Sequence, residues 1–125
     1  MPKYVRAHTA RLAQERIEHR IDNQFVNGRD PYGHRWPQPK DGHRPSMIRT
    51  GRLRAGYVVR VVQAGQGLSV RVTNRMPYAE HLQRGTDRME PRKQVPDGAL
   101  PEPWRQDLDR SYEEGFAWWY ARLGR

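Results

Sequence analysis

The chain contains no cysteine among its 125 residues. That absence removes disulfide scaffolds, thiol nucleophiles and cysteine-ligated zinc or iron–sulfur centres together, and it fits a reducing compartment. Long apolar runs are missing too. The longest, Phe116 to Ala121, has six residues, far short of the roughly 18 that a membrane span needs. No membrane association is therefore expected. Met1-Pro2-Lys3-Tyr4-Val5-Arg6 has no apolar core, so no standard secretory signal is expected either. Aliphatic residues are scarce: Leu, Ile, Val and Phe number 21 of 125, below the roughly 20% that, with high net charge, marks disorder.

Against disorder stand 12 aromatic residues, four of them Trp, and clear periodic segments. The composition predicts one folded domain over 1–125 with a thin core, of the kind that neighbouring subunits complete. Net charge is +9, and 20 of the 23 basic residues are Arg, the side chain suited to bidentate contacts with carboxylate or phosphate. Most of the excess lies in the first half: residues 1–64 hold 13 basic and 5 acidic groups, residues 65–125 hold 10 and 9.

The elements read as α+β: an N-terminal and a C-terminal helix packed on a small antiparallel sheet, with a long Gly/Pro-rich loop. The first segment, 1–27, predicts a helix over 3–27, with Ala10, Ala13, Ile17, Ile21 and Phe25 at three- and four-residue steps and Asn27-Gly28 as its stop. The stripe is narrow, which suits packing on a sheet or a partner. Residues 28–49 form the loop, pinned by Trp36, with Gln38 to Ser46 expected to be exposed. The sheet region spans 50–100. Thr50 is a candidate cap. Tyr57–Gln63 and Leu68–Asn74 are strands joined through Gly65-Gln66-Gly67. Burial selects the register that puts Tyr57, Val59 and Val61 on one face with Leu68, Val70 and Val72, leaving Arg60 and Arg71 as cross-strand neighbours on the other. A short helix is expected over 77–84, closed by Gly85, and Met89 and Val95 are candidate edge-strand residues. The final segment, 101–123, is a helix with Trp104, Leu108, Tyr112, Phe116, Trp119 and Leu123 as its buried stripe. Trp118 and Tyr120 are left for a second surface.

Chemistry is hard to place in this sequence. No pair of the five histidines, His8, His19, His34, His43 and His81, has the spacing of a helical zinc site. Ser46, Ser69 and Ser111 lack nucleophile-elbow glycines. Gly65-x-Gly67 is a hairpin turn, with no Lys-Ser/Thr after it to make a phosphate loop. No catalytic residue, cofactor or metal is assigned, and the chain is not expected to be an enzyme. The candidate contact residues are Arg52, Arg54, Arg60 and Arg71, together with Trp118 and Tyr120. Arginines with Tyr57 or Trp36 beside them also suit a small nucleic-acid-binding protein, the alternative class.

Three motifs stand in order: Phe25-x-x-Gly28-x-Asp30-Pro31-x-Gly33-x-x-Trp36; Ile48-x-Thr50-Gly51-x-Leu53; and, after one hairpin, Thr73-Asn74-x-x-Pro77-Tyr78-Ala79-x-x-Leu82-Gln83-x-Gly85-Thr86. Over about residues 10–100 this order resembles the bacteriophage virion-morphogenesis or tail-completion family, found at the neck where head meets tail. The resemblance implies a structural virion protein, assembled in the host cytoplasm. Its copies would form a closed, sixfold ring that contacts neighbouring connector and tail-tube proteins. Genomic DNA would pass through the lumen without sequence recognition. The segment Glu90-Pro91-Arg92-Lys93-Gln94 departs from the Pro-Ala-Arg-Pro-aromatic pattern common in the family, as does the aromatic-rich C-terminal helix. Bottom-up, Phe25, Gly28, Asp30, Pro31, Gly33, Trp36, Thr50, Gly51, Leu53, Tyr78, Ala79 and Gly85 read first as fold residues.

Overall fold

The computed structural model describes residues 3–37, 52–64, 67–86 and 90–123. Helix α1 spans Lys3–Asn27 and α2 spans Arg52–Ala55; strands β1 and β2 cover Tyr57–Ala64 and Gly67–Asn74; α3 is Ala79–Arg84 and α4 is Glu102–Leu123. The fold class is the expected α+β, with two long helices and a two-stranded antiparallel sheet. The exposed part of the expected loop, Thr50 and Gly51 lie outside the described residues.

Helix α1 has the bounds that its stripe and its Gly28 stop dictate. Gly28 takes φ +65°, and its N–H donates to the Gln24 carbonyl at 2.8 Å, a conformation that glycine adopts without steric cost. The narrow stripe suggested packing on a sheet or on a partner, and the helix meets both the sheet and another helix of its own chain. It packs along α4 as well as on β1. Ile17, Ile21 and Phe25 join Trp36, Leu53, Val59, Ala79, Leu82 and Trp104 in one core, with Tyr57, Val70 and Val72 against its edge.

The strands pair Val59 with Val72, Arg60 with Arg71 and Val61 with Val70. This is the register that burial selects. The ladder runs on to Ala64 opposite Gly67, so Gly67 belongs to β2 rather than to the turn. Helix α3 is two residues shorter than expected at its start, and Pro77-Tyr78 form the turn before it.

Residues 90–95 form an extended strap and no ladder. Val95 is thus not in an edge strand, and Met89 lies outside the described residues. Fully buried Gln94 anchors the strap. Its carbonyl accepts from Gln24 Nε2 at 2.7 Å, its N–H donates to Gln83 Oε1 at 2.8 Å, and its Oε1 accepts the Tyr57 hydroxyl. Satisfied partners are what make a buried amide tolerable. Burial drives the Tyr57 hydroxyl well above the usual tyrosine range, opposed in part by Asn74 and Arg54.

Candidate functional site

The motif residues form a self-contained cassette at the end of α1. Asp30 Oδ1 accepts the N–H groups of Tyr32 and His34, both at 2.9 Å, and the Gly33 N–H donates to the Asp30 carbonyl at 3.0 Å. Gly33 takes φ +91°, and Pro31 is buried. The Trp36 ring meets Phe25 edge-on at 5.2 Å, while its Nε1 donates to the Lys93 carbonyl at 2.7 Å. The motif's two polar side chains, Asp30 and Trp36, are thus both bonded within the chain. The other landmarks behave alike. Leu53 is fully buried, and its carbonyl accepts from Asn74 Nδ2 at 2.8 Å. Ala79 and Leu82 join the core, and Gly85, at φ +78°, closes α3. Tyr78 departs from its expected packing role, because its side chain stays exposed.

Helix α4 reverses the sequence reading. The side buried against α1 carries Trp104, Asp107, Ser111 and Gly115. At Gly115 the two helices pack too closely for a side chain: a Cβ there would stand 1.9 Å from Thr9 Oγ1. Flanking it, Arg16 donates to Ser111 Oγ at 2.8 Å and to Glu114 at 2.6 Å, and Arg20 grips Asp107 with bonds of 2.6 and 3.2 Å. The bond to Asp107 holds the Arg20 guanidinium more firmly protonated than usual. This seam is small and polar, joined by bidentate and charge-assisted bonds.

The expected apolar stripe is therefore turned partly outward. Phe116 is 44% exposed and Leu123 62%; beside them Tyr120, expected on the surface, is 68% exposed. Tyr112 and Trp119 are half-buried. Phe116 and Tyr120 flank Trp119 with ring centroids 6.1 Å away on each side. Only Trp104 and Leu108 of that stripe reach the core region. Trp118, expected on a second surface, is instead engaged within the chain: it stacks on His8 at 4.4 Å, meets Tyr4 edge-on and lies under Arg122 at 3.9 Å. Tyr120 remains available to a partner.

The arginines divide as well. Arg54 pairs with Asp22 and so braces α2 against α1. Arg60 and Arg71 are exposed, directly opposite each other across the ladder, and neither forms an ion pair among the described residues. The side chain of Arg52 lies outside the described residues. A cleft of about 420 Å³ beside the cassette is lined by Arg20, Asp30, Tyr32, Glu102 and Trp104, among others. Asp30 is committed there to the loop's own N–H groups. No group of three or more His, Asp or Glu able to hold a metal occurs among the described residues. No helix among them is long and apolar enough to cross a membrane.

Sequence reasoning missed the seam because polar residues were assigned to solvent. The signal was present as Asp107-x-x-x-Ser111-x-x-x-Gly115, one face of a helix, opposite Arg16-x-x-x-Arg20. Compared with protein-family models, curated proteins and solved structures, the chain matches none.

Proposed function

We propose that the chain is a structural assembly protein whose copies associate side by side into a closed ring. Following the order of its motifs, that ring sits at the head–tail neck of a tailed bacteriophage, as tail completion or head–tail joining protein. The observation that carries the reading is the aromatic side of α4. Phe116 and Leu123 stand exposed on the helix whose stripe was expected to bury them, beside Tyr120, which was expected on the surface, and exposed apolar surface of this kind marks an interaction site. Aromatic residues are enriched at the centres of protein interfaces. Fully burying one such side chain contributes about 1.5–3 kcal/mol, so a repeated contact of this kind offsets the thin core of a lone copy.

Sedimentation velocity of the purified chain, alone and mixed with tails from a strain lacking it, tests the proposal. The expected result is a discrete ring or incorporation at the tail end, with deletion yielding heads and tails that fail to join. A single-chain species under both conditions, with normal virions from the deletion strain, would contradict it. The nucleic-acid reading predicts instead salt-steep retention of random-sequence DNA by single chains.

A further inference from the structure

We propose that the contact between copies is head to tail, with the outer face of the β1–β2 sheet of one copy seated on the aromatic side of α4 of the next. This rests on the ring reading and adds the two surfaces that meet. Each surface sets two like charges side by side, and on α4 the exposed Arg105 and Arg110 lie one turn before Asp109 and Glu113 without forming an ion pair to either among the described residues. On the sheet, Arg60 and Arg71 are direct cross-strand neighbours, and like charges so placed are destabilising. On α4, Asp109 and Glu113 border the aromatic stripe one turn apart, both exposed, and like charges at that spacing are destabilising too. None of the four forms an ion pair among the described residues.

Brought together, the two conflicts cancel. Side chains directly opposite on paired strands lie about 5 Å apart, and side chains one helical turn apart lie about 5–6 Å apart. Two guanidiniums therefore meet two carboxylates at matching separation. The Arg60–Arg71 pair runs across the ladder and the Asp109–Glu113 pair runs along the helix, so this match sets α4 across the strands rather than along them. Arginine is also the cation that stacks on aromatic rings, and Phe116 and Tyr120 lie beside the acidic pair. The two faces differ from each other, so the contact is heterologous, the kind that closes into a ring when its rotation permits.

The test uses two full-length variants, Arg60→Glu/Arg71→Glu and Asp109→Lys/Glu113→Lys, each checked for an unchanged melting curve. Each alone is expected to lose self-association by about a hundredfold or more, because like charges then face each other across the contact. Mixed one to one, they are expected to recover it, with the two variants alternating around the ring. The chain carrying all four substitutions should recover it alone. Variants that still form rings alone, or that stay apart when mixed, would overturn this pairing and leave the ring reading standing. A wild-type chain that never associates, alone or on tails, overturns both. A wild-type monomer that shifts only with random-sequence DNA assigns the sheet face to nucleic acid instead.

Discussion

The Phe25–Trp36 cassette and helix α4 are both rich in aromatic side chains, and they use them in opposite ways. In the cassette, Trp36 is buried, packs on Phe25 and spends its indole N–H on the Lys93 carbonyl. In α4, Phe116, Tyr120 and Leu123 reach solvent, while Asp107, Ser111 and Gly115 fill the inside. The family-like motif is thus consumed by the fold. Phe116 and Tyr120, outside the motif, are the aromatic residues of α4 left exposed. A residue that satisfies itself within its own chain specifies structure; one that the fold leaves unsatisfied is the better guide to association.

The cassette is most exposed to damage at Trp36, which is buried against Phe25. Trp36→Ala is expected to cost about 3–5 kcal/mol, read as a loss of cooperative thermal unfolding or a large fall in Tm. Next comes the seam. Gly115→Ala places a methyl group into Thr9 and is expected to cost about 1–3 kcal/mol. Adding Thr9→Ala to that variant should restore part of the lost Tm, a coupling that a double-mutant cycle measures.

Alkali offers a third probe, directed at the strap. Burial raises the pKa of Tyr57 in the fold. The stability this contributes is complete below the ordinary tyrosine value of about 10 and is lost as pH rises beyond it. Absorbance titration should show one phenolate forming only as circular dichroism reports unfolding, and Tyr57→Phe should remove that late component. The smallest expected effect on stability is on the outer side of α4. Phe116→Ser with Tyr120→Ser should leave the unfolding free energy within about 0.5 kcal/mol per site, as surface substitutions do, while abolishing association.

Much of the architecture was legible before the structure. The i, i+4 stripe of Ala13, Ile17, Ile21 and Phe25, together with Gly28, fixes α1. The alternation of Val59 and Val61 with Val70 and Val72 fixes the hairpin register. The buried face of α4 was not legible, because periodicity detects where apolar residues lie and is blind to arginines far away in sequence. Asp107 and Ser111 are buried only because Arg20 and Arg16, 87 and 95 residues earlier, reach them. The role of Gln94 was hidden for the same reason, since Gln24, Tyr57 and Gln83 are its partners. The surface proposed for assembly follows from that same failure: Trp104 and Leu108 of the stripe reach the core, while Phe116 and Leu123 at its C-terminal end are left exposed.

The most direct test of the account compares sedimentation of the wild-type chain with that of the Phe116→Ser/Tyr120→Ser variant. The account predicts a closed oligomer for the first and a single 14.8 kDa chain with an unchanged melting curve for the second. Equal assembly by both proteins would contradict it.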